Sequence, residues 1–305
     1  MNTSIDILCI GEIIIDFIGT SNQTNLQETP EFKRVLGGSV TNVAVNTTKV
    51  GLQSFLVGAV GTDALGSYAL AELTKQNVQK AINQVPQSTS VILVSKSETT
   101  PEFIPYRSAD CQILAPQITD EQVKNSKIFH TTCFALSENP AQETILQKAK
   151  IAFENSVKLS IDFNFSDKIW TNKATLNHAI TTYLSYQPMV KISADDCLRY
   201  FGATKTDAEI FEYFSGLGAS LVCLTKGKDG VFLYTSSEGV QAFSAHKINK
   251  IEDATGAGDA FWSGFLYGIL HEKPLEKCVE IGQKIAVYKL ENPNGIPENA
   301  RFLME

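Results

Sequence analysis

The residues from Asp253 to Gly268 read Asp-Ala-Thr-Gly-Ala-Gly-Asp-Ala-Phe-Trp-Ser-Gly-Phe-Leu-Tyr-Gly. Three small residues, Gly256, Ala257 and Gly258, precede an acid, Asp259, and the acid opens an apolar run of helical character. Small residues let backbone N–H groups approach a ligand with no Cβ in the way. A helix N-terminus adds unpaired N–H donors and the positive end of the helix dipole. Together these make an anion site of the kind that takes phosphate. Asp259 has two readings. It caps the helix, or it accepts the proton of an alcohol. Phosphoryl transfer asks for both an anion hole and an aligned acceptor.

Other stretches carry chemistry of the same kind. Gly37-Gly38-Ser39-Val40-Thr41-Asn42 stands at the start of a predicted helix. Two glycines permit a close backbone approach to a ligand, and Asn42 offers one donor and one acceptor to hydroxyls. A turn followed by an Asn N-cap is the structural alternative. Thr225-Lys-Gly227-Lys-Asp-Gly230 is a glycine-bearing turn between two predicted strands. Lys191-Ile-Ser193-Ala-Asp-Asp196 brings a cation, a hydroxyl and two acids to the end of a short strand. Tyr106-Arg107 follows another, and an Arg beside an aromatic suits a hydroxyl cluster or a carboxylate.

The elements that must position these groups follow an α/β rhythm. Short apolar runs at 5–10, 54–60, 127–132, 159–163, 189–192 and 220–225 alternate with amphipathic stretches at 41–50, 64–76, 141–154, 174–186 and 206–217. Such alternation predicts a mostly parallel sheet with helices on both faces. The runs 231–234 and 240–245 read as a β-hairpin, and 258–270 and 274–290 as the last helices. The runs 13–18, 90–95 and 103–106 break the rhythm and predict a small separate sheet, the last two forming a hairpin around a polar tip at 96–101.

The two glycine-rich stretches, in this order, resemble the signatures of the ribokinase-like (PfkB) carbohydrate kinases. The C-terminal signature of that family runs Asp-Thr-x-Gly-Ala-Gly-Asp, and Ala254 departs from it. Val40 departs from the Gly, Ala or Pro usual in the N-terminal one. The resemblance covers essentially the whole chain and comes closest to fructokinase-like members. It implies a ribokinase-like three-layer α/β/α domain with a mostly parallel sheet, built from 1–11, 37–89 and 113–305, and a small β-sheet lid from 12–36 and 90–112. It implies ATP as phosphoryl donor, with Mg²⁺ and with K⁺ as a candidate activator. Asp259 becomes the base and Gly256, Ala257 and Gly258 the anion hole. Asp16, Gly37, Gly38, Asn42, Tyr106, Arg107 and Asp259 fall to the sugar. Lys191, Ser193, Thr225, Gly227, Gly230, Gly256 and Gly258 fall to the nucleotide, and Asp196 to the outer sphere of the metal.

Substrate preference follows the same resemblance. Tyr106-Arg107 is similar to a stretch of fructokinases and keto-sugar-acid kinases. Ser166 stands where relatives carry an Arg, with Lys168 nearby as a substitute cation, and losing that Arg argues against a sugar acid. The expectation is therefore fructose, with 2-keto-3-deoxygluconate or another keto-sugar acid as the alternative, and a degenerate sugar-binding protein as the non-enzyme alternative. Family analogy implies a homodimer through the lid.

Composition suits a globular chain with a sizeable core and argues against other classes. The chain has 305 residues, 43% of them apolar and 19% charged. Its 26 basic and 33 acidic residues leave a net charge of −7, which disfavours binding to nucleic acid or to an anionic membrane. The N-terminus has no basic leader and reads as a buried strand. Six cysteines without a CxxC pair suit a reduced cytoplasm. No Gly-x-x-x-x-Gly-Lys-Ser/Thr loop occurs, position 261 is Phe where a dinucleotide fingerprint needs Gly, and the four histidines have no metal spacing.

Overall fold

Alternation of apolar side chains across the strands builds a sheet buried on both faces. In β1 (Ile5–Ile10), Leu8 and Ile10 enter one apolar cluster while Ile7 and Cys9 enter the other, and all four have no solvent exposure. The structure, a computed structural model, describes residues 4–22, 25–96, 102–252, 254–292 and 295–304.

The remaining strands in chain order are β2 (Ile14–Asn22), β3 (Phe32–Gly37), β4 (Ser54–Gly61), β5 (Gln79–Val85), β6 (Val91–Lys96) and β7 (Phe103–Tyr106). They continue with β8 (Ser126–Thr132), β9 (Lys158–Asp162), β10 (Met189–Ser193), β11 (Leu221–Thr225), β12 (Val231–Thr235) and β13 (Gly239–Phe243). The helices are α1 (Ser39–Lys49), α2 (Ala64–Lys75), α3 (Asp120–Lys124), α4 (Ala141–Glu154) and α5 (Lys173–Leu184). Beyond them come α6 (Ala194–Phe201), α7 (Asp207–Gly216), α8 (Ala257–Leu270) and α9 (Leu275–Glu291).

Among the described residues the strands form two sheets. The large one runs β13-β12-β11-β10-β9-β8-β1-β4-β5 and is parallel from β11 through β5. The last hairpin, β12 and β13, adds two antiparallel strands at one edge. Helices α1, α2 and α8 pack on one face, and α4, α5 and α7 on the other. The ribokinase-like α/β expectation therefore stands. Strand order reverses between β1 and β8, because the chain leaves β1 toward β4 on one side and returns to β8 on the other. Ligands of open α/β sheets bind beyond the carboxyl ends of the strands at such a point.

The small sheet runs β3-β2-β6-β7. β2 pairs antiparallel with β3 and parallel with β6, and β6 pairs antiparallel with β7. The predicted hairpin is thus present, with most of its tip, 97–101, outside the described residues. Strand β3 was not expected, nor was β5, a half-exposed edge strand whose Gln-Lys-Ala-Ile-Asn-Gln-Val mixes polar and apolar residues. β3 runs into α1 through Gly38 alone. Gly38 has φ +103, and a Cβ there would meet the Glu12 carbonyl oxygen at 2.4 Å, so only glycine makes this bend.

Helix α8 is buried over most of its length, as an apolar helix at the centre of a large domain must be. It lies hard against α9. A Cβ on Gly264 would come within 2.9 Å of the Gly282 Cα, and one on Gly268 within 2.7 Å of the Cys278 sulfur. This contact fixes the axis of α8, and so the place of its N-terminus.

Candidate active site

The carboxyl ends of the parallel strands carry the polar residues. β8 ends at Thr132, β9 at Asp162, β10 delivers Lys191 and Ser193, and β11 ends at Thr225. Glu12 follows β1 after Gly11. Periodicity explains the apolar bodies of these strands, and the site begins where it stops.

Asp259 sits in the first turn of α8, whose N-cap is Gly256 in the left-handed region. Its carboxylate does not cap that helix. One oxygen accepts from Ser39 Oγ at 2.6 Å and the other from Asn42 Nδ2 at 2.7 Å, both donors lying in the first turn of α1. Burial pushes Asp259 up to about 6, and the nearby Asp162 charge pushes the same way. Lys191 and the Ser39 and Asn42 hydrogen bonds pull it down. Burial thus holds this carboxyl well above the usual aspartate range.

Lys191 and Asp162 form a buried ion pair beneath this acid. Lys191 Nζ donates to both Asp162 oxygens, at 3.0 and 2.8 Å. The Asp162 carboxylate holds the Lys191 ammonium charged despite its burial. A Cβ on Gly258 would lie 2.8 Å from Lys191 Nζ, so the ammonium sits directly under the Gly256–Gly258 backbone and adds positive potential to the helix N-terminus.

The small sheet closes the other side. Asp16, on β2 opposite Val35 of β3, lays its carboxylate on Gly37, where a Cβ would meet Oδ2 at 2.1 Å. Burial pushes Asp16 up to about 7, with the charge of Asp259 as the second cause. Asp16, Asn42 and Gly256 line one cavity of about 390 Å³. Ile18, Lys33, Arg34, Val45, Asn46 and Lys49 also line it. Pairing of Ile18 with Lys33 and of Asp16 with Val35 puts these four on one face of the small sheet. Asn42, Val45, Asn46 and Lys49 share one face of α1 by their three- and four-residue spacing. The cavity therefore runs between sheet and helix, from Asp16 and Asn42, the partner of Asp259, out to Lys33 and Lys49.

Arg107 lies at the far side of the small sheet, just after β7. Nε and Nη2 both donate to Asp110 Oδ2, at 3.0 and 2.6 Å. Nη1 meets Ser137 Oγ, and the guanidinium covers the Phe134 ring at 4.1 Å. The arginine therefore ties the small sheet to the loop after β8. Its neighbour Tyr106 is 57% exposed. Lys168, the candidate stand-in for the Arg lost at Ser166, donates instead to the Phe103 carbonyl at 2.6 Å.

A second cavity, of about 560 Å³, lies past the ends of β10 and β11. Ser193, Thr225 and Gly227 line it, together with Lys226 and Asp229. Gly230 does not. It closes the hairpin turn, where a Cβ would strike the Phe243 carbonyl at 2.1 Å. Ser193 caps α6 by accepting from the Asp196 N–H. Asp196 is buried, and burial raises its carboxyl above the usual range. It meets Ser193 Oγ and Arg199 Nη1, the latter at 2.7 Å. Among the described residues no three His, Cys, Asp or Glu side chains gather to hold a metal. Asp253, the first residue of the glycine-rich signature, lies outside the described residues.

The profile of the pfkB family of carbohydrate kinases matches residues 4–300. The chain belongs to that family. The chain is 34% identical over 286 residues to an ATP-dependent 6-phosphofructokinase of Thermoanaerobacterium thermosaccharolyticum, covering 93% of this chain and 88% of the relative. It is 25% identical to a 5-dehydro-2-deoxygluconokinase of Clostridium botulinum, covering 92% of this chain and 86% of that one. The structure of Halothermothrix orenii fructokinase superposes with a TM-score of 0.79 at 30% identity, covering 92% of this chain and 98% of that one. A PfkB carbohydrate kinase is a phosphotransferase acting on a sugar hydroxyl, and this family uses ATP. No helix among the described residues is long and apolar enough to cross a membrane, and all six cysteines are free and buried.

Sequence reasoning singled out Asp259, Asn42 and Asp16, which the fold brings together. It passed over Ser39, Glu12 and Thr132. Ser39 carried a readable signal, a hydroxyl following the glycine pair. Glu12 and Thr132 carried none, since each reads as an ordinary strand-end polar residue.

Proposed function

We propose that the protein transfers the γ-phosphoryl group of ATP to a hydroxyl of a ketohexose, with fructose as the first candidate. The observation that carries this is the buried carboxylate of Asp259, held at the N-terminus of α8 by Ser39 and by Asn42, which itself lines the Asp16 cavity. Asp16 and Asn42 hold sugar hydroxyls, the Gly37-Gly38 backbone approaches the ring, and Arg107 fixes its far side. Asp259 takes the hydroxyl proton as the sugar oxygen bonds to the γ-phosphorus and the bond to the ADP oxygen breaks. The Gly256, Ala257 and Gly258 backbone stabilises the transferring group. The Ser193–Thr225–Gly227 cavity receives the nucleotide beside Lys191. Mg²⁺ neutralises phosphate charge when bound, and Asp196, already paired with Arg199, fits it only through water. K⁺ is tested by its replacement with Na⁺ in the assay buffer. The small sheet serves as a lid that keeps water from the phosphoryl group. Its outward face would carry a homodimer, and the buried thiols suit the cytoplasm.

A second reading, an anionic keto sugar such as fructose 6-phosphate or 2-keto-3-deoxygluconate, is favoured by Lys33 and Lys49 at the outer end of the same cavity. ADP release measured with fructose, fructose 6-phosphate and 2-keto-3-deoxygluconate decides between them. The highest kcat/KM with fructose is expected. A higher value with either anionic sugar overturns fructose and keeps the class, and release with none of the three overturns the ketohexose reading.

Arg107→Ala is expected to raise KM for the sugar with little change in kcat or in KM for ATP, the signature of a uniform binding contact. Equal effects on both substrates would return Arg107 to its tie with Asp110 alone.

A further inference from the structure

The polar residue at the reversal point of the main sheet is Glu12, and nothing above gives it a function. It is 1% exposed. One carboxylate oxygen accepts from the Val40 backbone N–H at 3.3 Å, in the first turn of α1. The other accepts from Thr132 Oγ1 at 2.7 Å, at the end of β8. Its backbone carbonyl accepts from Thr41 Oγ1 at 2.8 Å and stands against Gly38. Thr132 Oγ1 in turn accepts from the Ala135 N–H at 3.0 Å. Glu12 thus ties the turn carrying Ser39 and Asn42 to the end of a central strand, across the gap where strand order reverses.

We propose that Glu12 is a positioning residue for phosphoryl transfer: it fixes the first turn of α1, and through Ser39 and Asn42 it sets the place and basicity of Asp259. A buried carboxylate without a cation in hydrogen-bond contact is costly, and a structural role alone would be met by an apolar side chain. Burial pushes Glu12 up to about 7, against the hydrogen bonds from Thr132 and Val40 and the more distant charge of Arg107. Around Asp259 the charged groups are Asp162, Lys191 and Asp16. None of these bridges α1 to β8 as Glu12 does. The proposal rests on Asp259 as the base.

The test is the acid limb of the kcat/KM profile in the intact enzyme, for the wild type and for Glu12→Ala, Glu12→Gln and Thr132→Val. Glu12→Ala frees the turn, so the Ser39 and Asn42 bonds to Asp259 loosen. Its kcat is expected to fall about tenfold to a hundredfold. The limb is expected to move up by about half a pH unit or more, since lost donors favour the protonated acid. Burial raises Glu12 to about 7, so it carries little charge through a limb near 6; removal of what charge remains would move the limb down, opposite to the loss of donors. Glu12→Gln keeps an acceptor for Val40 and is expected to recover most of kcat and of the limb position. Thr132→Val leaves the Glu12 carboxyl in place and is expected to move the limb up by less. A limb that stays put or moves down in both Glu12→Ala and Thr132→Val overturns the proposal. If Glu12→Ala does not fold, Thr132→Val decides alone. Asp259→Asn separates this from the underlying reading: a limb that survives in Asp259→Asn removes Asp259 as the base, whereas a limb lost there but unmoved in the other variants removes only Glu12.

Discussion

Asp259→Asn is expected to lower kcat at least about a hundredfold, because general-base catalysis contributes on the order of 10² to 10⁴ in rate. The substitution keeps the shape of the side chain. Asn oxygen still accepts from Ser39, and the Asn42 amide can turn over to offer its own oxygen to the new amide group. No helix cap is lost, since the N-cap of α8 is Gly256 and Asp259 bonds across to α1. The melting midpoint is therefore expected to hold. A carboxyl raised to about 6 by burial is less stable ionised in the folded protein than in the unfolded one, so its neutral replacement carries no stability penalty above that pH. In the wild type, kcat/KM should fall as pH drops through about 6, because the base must be ionised, and Asp259→Asn should lose that limb. Steady-state rates and thermal melts on one preparation check both statements. A fall below tenfold, or a large drop in Tm with normal turnover, would sink the assignment.

Lys191→Met should do the reverse and unfold the protein more readily. The substitution removes the ammonium and leaves Asp162 buried, with side-chain exposure of 2%, next to Asp259. Breaking a buried pair from one side costs about 3–5 kcal/mol, because the remaining charge has no counterion. Removing both partners is milder, so Lys191→Met/Asp162→Leu should recover most of the loss. The pH sign follows from Asp259. Without the ammonium its carboxyl rises further, so the residual activity should lose its acid side at a higher pH than the wild type. Denaturant unfolding of the single and double variants reads the stability. A single variant within 1 kcal/mol of the wild type would mean that the pair contributes nothing beyond its geometry.

Much of this fold follows from periodicity. The helix read over 141–154 has those limits in the structure, and the strands at 189–192 and 220–225 differ by a residue at an end. The strands that escaped are those with half-exposed, mixed faces. β3, Phe-Lys-Arg-Val-Leu-Gly, is only half-buried and leaves Lys33 and Arg34, adjacent residues on opposite faces, exposed, so no clean alternation marks it. At the site, the glycines and Asp259 are legible because a phosphate loop restricts residue type locally. That Ser39 and Asn42 pair with Asp259 is not legible, because they lie more than two hundred residues away and meet it only through the packing of α1 on α8. Glu12 and Thr132 are harder still. Their contact depends on which two strands flank the reversal point, a property of topology that no local spacing encodes.

The junction of β3 with α1 has a mechanical consequence. Only Gly38 separates the last residue of the small sheet from Ser39, whose hydroxyl grips Asp259. A glycine held at φ +103 against the Glu12 carbonyl gives almost no slack. Any displacement of β3 would therefore be passed, undamped, into the turn whose hydroxyl holds the Asp259 carboxylate.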